Sequence, residues 1–173
     1  MKDKKDKKRM NNKGFSFVEL IIAIAILAIM AGVLAPQLIK YIDSSRKSTD
    51  VQNAQAIATA VNIALANEDA YNAAKTKAVA NSNKAVYKLS DLSGTVDEDD
   101  NSVAGDMFEE KVLEVIVNNK IKPKYNSSTY DDFVIIIYGG GTSLSFKIYP
   151  STNEAYHSAE NELYPNVGTN YTK

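Results

Sequence analysis

The chain has no cysteine and a single histidine, His157. The first absence removes disulfides and thiolate metal sites, and the second removes every metal centre built on several imidazoles. Nucleophilic hydrolase chemistry finds no footing either, because no G-x-S-x-G elbow exists and the glycine-rich stretch reads Gly141-Thr142-Ser143-Leu144-Ser145. No set of catalytic side chains stands at a usable spacing, so a non-enzyme is expected, without cofactor or metal. A basic excess is also missing. The net charge of -1 conceals an asymmetry, since residues 1–14 hold seven Lys/Arg against two Asp and the remainder carries 13 basic against 19 acidic residues. Without its first 14 residues the chain would repel polyanions, so nucleic acid is not an expected partner.

Charge is absent altogether from residues 20–35, which read LIIAIAILAIMAGVLA. Residues 15–39 as a helix are about 37 Å long at about 1.5 Å per residue, enough to span a hydrocarbon core about 30 Å thick. The basic residues that precede them, Lys2 to Lys13, favour the cytoplasmic side, and residues 1–13 have no apolar cluster and are expected to be disordered. A secretory signal peptide shares the basic start. Its one well-placed cleavage candidate here, Val33-Leu34-Ala35, is followed by Pro36, a poor residue after a cut. The apolar segment is therefore expected to stay with the mature protein.

One carboxylate, Glu19, stands at the head of this run. At mid-bilayer such a charge costs about 2.5–3.5 kcal/mol, so it either snorkels to the headgroups or has a positive partner. If the chain were cut after Gly14, the new amine on Phe15 would lie four residues away, near one helical turn. Farther on, Pro36 removes one backbone hydrogen bond and crowds the carbonyl of Gly32, itself a weak helix former. The pair predicts a bend or soft spot between residues 32 and 36, with a tolerated kink of no consequence as the plain alternative.

The helical period continues past Pro36 through Leu38, Ile42, Ser45, Thr49, Ala54, Ile57, Val61, Ala64 and Leu65, with Lys40, Arg46, Lys47 and Asp50 off the stripe. One helix over about residues 15–66 is expected. Residues 70–80 form a short helix or extend the first, and residues 86–89 a brief strand. The acidic run at 97–100 lacks the spacing of a calcium loop and reads as solvated. Residues 106–119 read as an amphipathic helix capped by Asp106 and Glu109, burying Phe108, Val112, Val115 and Ile116 and stopped by Pro123. Residues 133–138 and 144–149 then form a hairpin around Gly139-Gly140-Gly141. The tail is polar, with one further short strand around residues 154–156 and His157 on the surface.

Lys13-Gly14-Phe15-Ser16-Phe17-Val18-Glu19, followed by Leu, Ile and Ala, resembles the class III signal of type IV prepilins. The resemblance covers about 25 residues; the rest agrees in architecture only, an α+β type IV pilin fold with a long N-terminal helix packed on a small antiparallel sheet. It implies a basic leader, residues 1–14, removed after Gly14 by prepilin peptidase, and N-methylation of Phe15. Residues 15–39 would then be the membrane and later filament-core half of the helix, and residues 40–173 an extracellular domain. Glu19 falls where the family pairs a carboxylate with the Phe15 amine of a neighbour, and Pro36, with Gly32, where it carries a helix-breaking proline. The implied partners are other copies of the chain, minor pilins, the peptidase and the membrane assembly platform. The implied destination is a surface filament serving adhesion, motility or biofilm formation. The helix signal alone does not separate this from a pseudopilin of a secretion or competence system, and a monomeric single-pass surface protein is the alternative from another class. Many Gram-negative members close a C-terminal loop with a disulfide; here packing must hold that loop, which points to a Gram-positive source.

Overall fold

The computed structural model describes residues 14–93, 103–151 and 158–172. Residues 1–13, the acidic run at 97–100, the strand expected at 154–156 and His157 lie outside the described residues. The chain divides into two compact units, Met1–Tyr41 and Ile42–Lys173.

One element runs through the boundary. Helix α1, Phe17–Leu65, is a single α-helix of 49 residues that contains Pro36 without interruption. Every residue from 14 to 41 is exposed, including Leu20, Leu27, Met30 and Leu34. A helix with apolar side chains on all faces and none buried needs lipid or other chains around it.

In the second unit α1 is one-sided and buries Ala54, Ile57, Ala58, Ala60, Val61 and Ala64. The buried stripe begins later than its periodicity implies: Leu38, Ile42 and Ser45 are exposed, because the elements of this unit cover α1 only from about Asp50 onward. Helix α2, Glu68–Ala80, is separate from α1 and starts at Asn67, whose side chain accepts from the Ala70 N–H at 3.0 Å. An Asn that satisfies an otherwise orphaned donor is a strong N-cap, and that decides against one continuous helix. Helix α3, Val103–Val115, begins three residues before Asp106, which therefore lies inside the helix and is not its cap. It ends at Val115, well before Pro123. Phe108 and Val112 are fully buried, whereas Val115 is exposed because the helix ends there and turns it outward.

Strands β1 (Lys84–Lys88), β2 (Asp132–Tyr138) and β3 (Ser145–Ser151) form an antiparallel sheet in the order β1-β2-β3. Successive side chains on β2 alternate between faces. Phe133, Ile135 and Ile137 join the core formed with α1, α2 and α3, while Val134 and Ile136 pack with Tyr149 on the other side. The expected hairpin is present, and Gly139 serves a close approach: a Cβ there would lie 2.9 Å from that of Ala78.

The C-terminal segment is held without a disulfide. Leu163 N donates to Ile148 O at 2.9 Å, and Ile148 N donates to Tyr164 O at 3.1 Å. The buried Glu162 carboxylate accepts from Lys147 Nζ at 2.7 Å and from Asn166 N at 3.3 Å. Tyr164 stacks on Phe146 with ring centroids 5.1 Å apart. Packing and one half-buried ion pair thus take the place of a covalent link.

Candidate processing and assembly site

Gly14 and Phe15 precede the first turn of α1, and Phe15 is 92% exposed. A peptidase reaching the Gly14–Phe15 bond would meet no packed structure in the described chain. Ser16 stands at the N-cap position of α1, and its backbone N–H donates to Glu19 Oε2 at 2.9 Å. This is the Glu arm of a capping box, in which the third helical residue reaches back to the cap. Glu19 therefore has a local partner in the single chain, and the acid also sits where the positive end of the helix dipole favours it. The pattern Ser16-x-x-Glu19 was legible in the sequence as a helix start. Weighing Glu19 only for snorkelling or for a positive partner missed this role with a neutral backbone N–H.

Gly32 and Pro36 lie on the same exposed stretch, and a Cβ built on Gly32 would meet nothing within 4 Å. The structure thus brings Phe15, Ser16 and Glu19 together at one helix end and leaves Gly32 and Pro36 a separate feature, three to five turns along. Among the described residues no group of three His, Cys, Asp or Glu side chains is placed to hold a metal ion.

In the second unit the electrostatically important residue is one that sequence reasoning placed outside the core. Asp50 is fully buried; Oδ1 accepts from Lys124 N at 2.7 Å and Oδ2 from Tyr125 N at 2.8 Å. Burial raises its pKa, and the two backbone bonds and the Lys124 charge partly oppose that rise. Lys47 lies over the Tyr125 ring, 4.7 Å from its centroid, and Tyr125 meets Tyr171 edge-on at 5.4 Å. Asp50 thus fastens α1 to the segment leading into β2, and Tyr125 of that segment meets the C-terminal Tyr171. Nothing local in the sequence marks it, since its donors lie 74 and 75 residues away.

Comparison with known proteins agrees with the N-terminal reading. The family described as the prokaryotic N-terminal methylation motif matches residues 9–35. The chain is also similar to "Prepilin peptidase-dependent protein A" of Clostridium perfringens (strain 13 / Type A), 35% identical over 86 residues. That alignment covers 50% of this chain and 61% of the relative, so it spans less than two thirds of the relative's length. No solved structure matches. Gly14, Phe15 and Glu19 lie within the matched methylation motif, at the head of an apolar helix long enough to cross a membrane. These matches are similarities of the N-terminal stretch and of part of the chain to type IV pilin-like proteins, and the α+β architecture, a long N-terminal helix with a small antiparallel sheet, is consistent with them.

Proposed function

We propose that this chain is a structural subunit of a type IV pilus. It is made as a single-pass precursor in the cytoplasmic membrane, cut after Gly14 by prepilin peptidase and methylated on Phe15. It then polymerises with minor pilins through a membrane assembly platform into a surface filament for adhesion, motility or biofilm formation. Residues 1–14 are the leader, residues 15–39 the anchor and later the filament core, and residues 40–173 the displayed domain. The single observation that carries the reading is the methylation-motif match over residues 9–35, which contains Gly14, Phe15 and Glu19. Supporting it is the helix beyond, whose apolar side chains are exposed on every face.

Glu19 then has two successive partners. In the precursor it caps α1 through the Ser16 N–H. In the filament it pairs with the Phe15 amine of a neighbour, which exists only after the cut. An unpaired charge in a low-dielectric core costs several kcal/mol, so the pair sets axial register. Gly32 and Pro36 supply a weak point where the helix can bend or unwind as it packs.

The test is the mass and N-terminal residue of the mature protein with electron microscopy of sheared surface material. We expect methylated Phe15 and abundant filaments of this chain. Gly14→Val should leave full-length chain in the membrane, and Glu19→Ala should be cut normally yet yield few or no filaments. A retained leader would instead indicate a monomeric anchored protein, and cleavage without long filaments a pseudopilin.

A further inference from the structure

The second unit carries an apolar groove of roughly 500 Å³ between α1 and the segment that follows α3. Ala56 and Thr59 line one wall, and Val115, Ile116, Val117 and Ile121 the other. The groove is uncharged throughout. Its second wall is braced from behind: Asn119 Nδ2 donates to Leu92 O at 3.0 Å, Lys120 N donates to Asn118 Oδ1 at 2.9 Å, and Ile116 and Ile121 pack on the core. Val117 is nevertheless 99% exposed at its rim.

The neighbouring helix face shares this neutrality. From Val51 to Asn67, α1 and the turn after it hold no charged residue, although Gln52, Gln55, Ala56, Thr59, Asn62 and Ile63 are exposed. The exposed face of α2 is ordinary by contrast, with Glu68, Asp69 and Lys75. An exposed surface of this kind, neutral beside a preformed apolar groove, is what a docking face requires. Among the residues that line the groove a charged partner would find no counter-charge, although Glu114, Lys120 and Lys122 are exposed just beyond its second wall, and the match of the lining is to a neutral, apolar, convex surface. The chain itself presents one such surface in quantity, the uncharged residues 20–35, all exposed.

We infer that this groove receives the apolar stretch, residues 20–35, of a second copy of the chain. The inference rests on the filament reading above and adds to it a specific receiving surface outside the N-terminal helix end. The absence of native cysteine makes the test clean, because any disulfide must come from the introduced residues. Two single-cysteine chains are co-expressed and oxidised in sheared filaments: Val117→Cys with a cysteine at Ile24, Ile26, Leu27 or Ile29 in turn, positions that together sample all faces of the helix. We expect a covalent dimer from at least one of these pairs and none when Lys75→Cys replaces Val117→Cys. Thr59→Glu, on the exposed helix face, should be processed normally but lower filament yield at least about tenfold, since a buried unpaired charge costs several kcal/mol and 1.4 kcal/mol is already tenfold. Lys75→Glu should leave the yield unchanged. Filaments that give no cross-link from residue 117 to any of the four positions, or only a 117–117 dimer, would overturn the groove assignment while leaving the filament reading intact. An unchanged yield in Thr59→Glu would do the same. Absence of filaments from the unmodified chain would overturn both.

Discussion

Asp50 shows how far a single carboxylate can be moved from where its sequence neighbourhood places it. A buried charge is expensive unless hydrogen-bonded, and two backbone N–H groups from Lys124 and Tyr125 meet that requirement. Asp50→Ala strands both donors in the interior, so chemical denaturation should show a loss of about 2–4 kcal/mol. Asp132, also buried, accepts from Ser90 Oγ at 2.6 Å and from Phe133 N at 2.7 Å. Burial raises its pKa above the ordinary 3.8, against the pull of the Ser90 and Phe133 bonds. The folded protein therefore holds this proton more tightly than the unfolded chain. That contribution to stability is complete below about pH 3.8 and is lost as pH rises through the raised value. Asp132→Asn removes the titration, so the stability difference between variant and wild type should shift toward the variant as pH increases from below 3.8 through the raised value. Parallel pH profiles would refute it.

Among the elements, α1 and the hairpin were legible from period alone, because an apolar run with helical spacing and a β-branched run around three glycines each allow one local answer. The start of α3 was not. Asp106 and Glu109 imitate a capping box, yet Glu109 instead faces Lys77 Nζ at 3.4 Å and accepts from Ser93 N at 3.3 Å. A cap pattern is local, and tertiary partners took its acid. The C-terminal segment depends on close backbone approach. At Gly168 a Cβ would collide with the backbone carbonyl oxygens of Glu160 and Ala159, contacts that no rotamer relieves. Gly168→Ala should lower stability by about 3 kcal/mol or more, and the thermal midpoint reports it. An unchanged midpoint would mean the segment is not held as described.

At the scale of the whole molecule, the core residues run from Ala54 to Tyr171 and all belong to the unit Ile42–Lys173, whereas most large exposed apolar side chains lie between Phe15 and Ile42. A fragment of residues 42–173 should therefore be soluble without detergent and unfold cooperatively, as a unit with its own core does. Aggregation or a broad, non-cooperative transition would show that the first unit is needed for folding.

The sequence by itself determined the apolar N-terminal stretch of this protein, from Gly14 to Ala35. Gly14, Phe15, Glu19 and the uncharged run beyond them fall within one stretch of the chain, and what they can do depends on spacing along one helix and on the medium around it. Ser16 was equally readable, since a capping box spans four residues. What only the tertiary structure decided are the partners of Asp50, Asp132 and Glu162, the turning outward of Val115, and the groove beside Thr59 and Val117. Those outcomes join residues tens of positions apart. Whether a charge is buried or an apolar side chain exposed there depends on which backbone donors and which walls the fold brings against it.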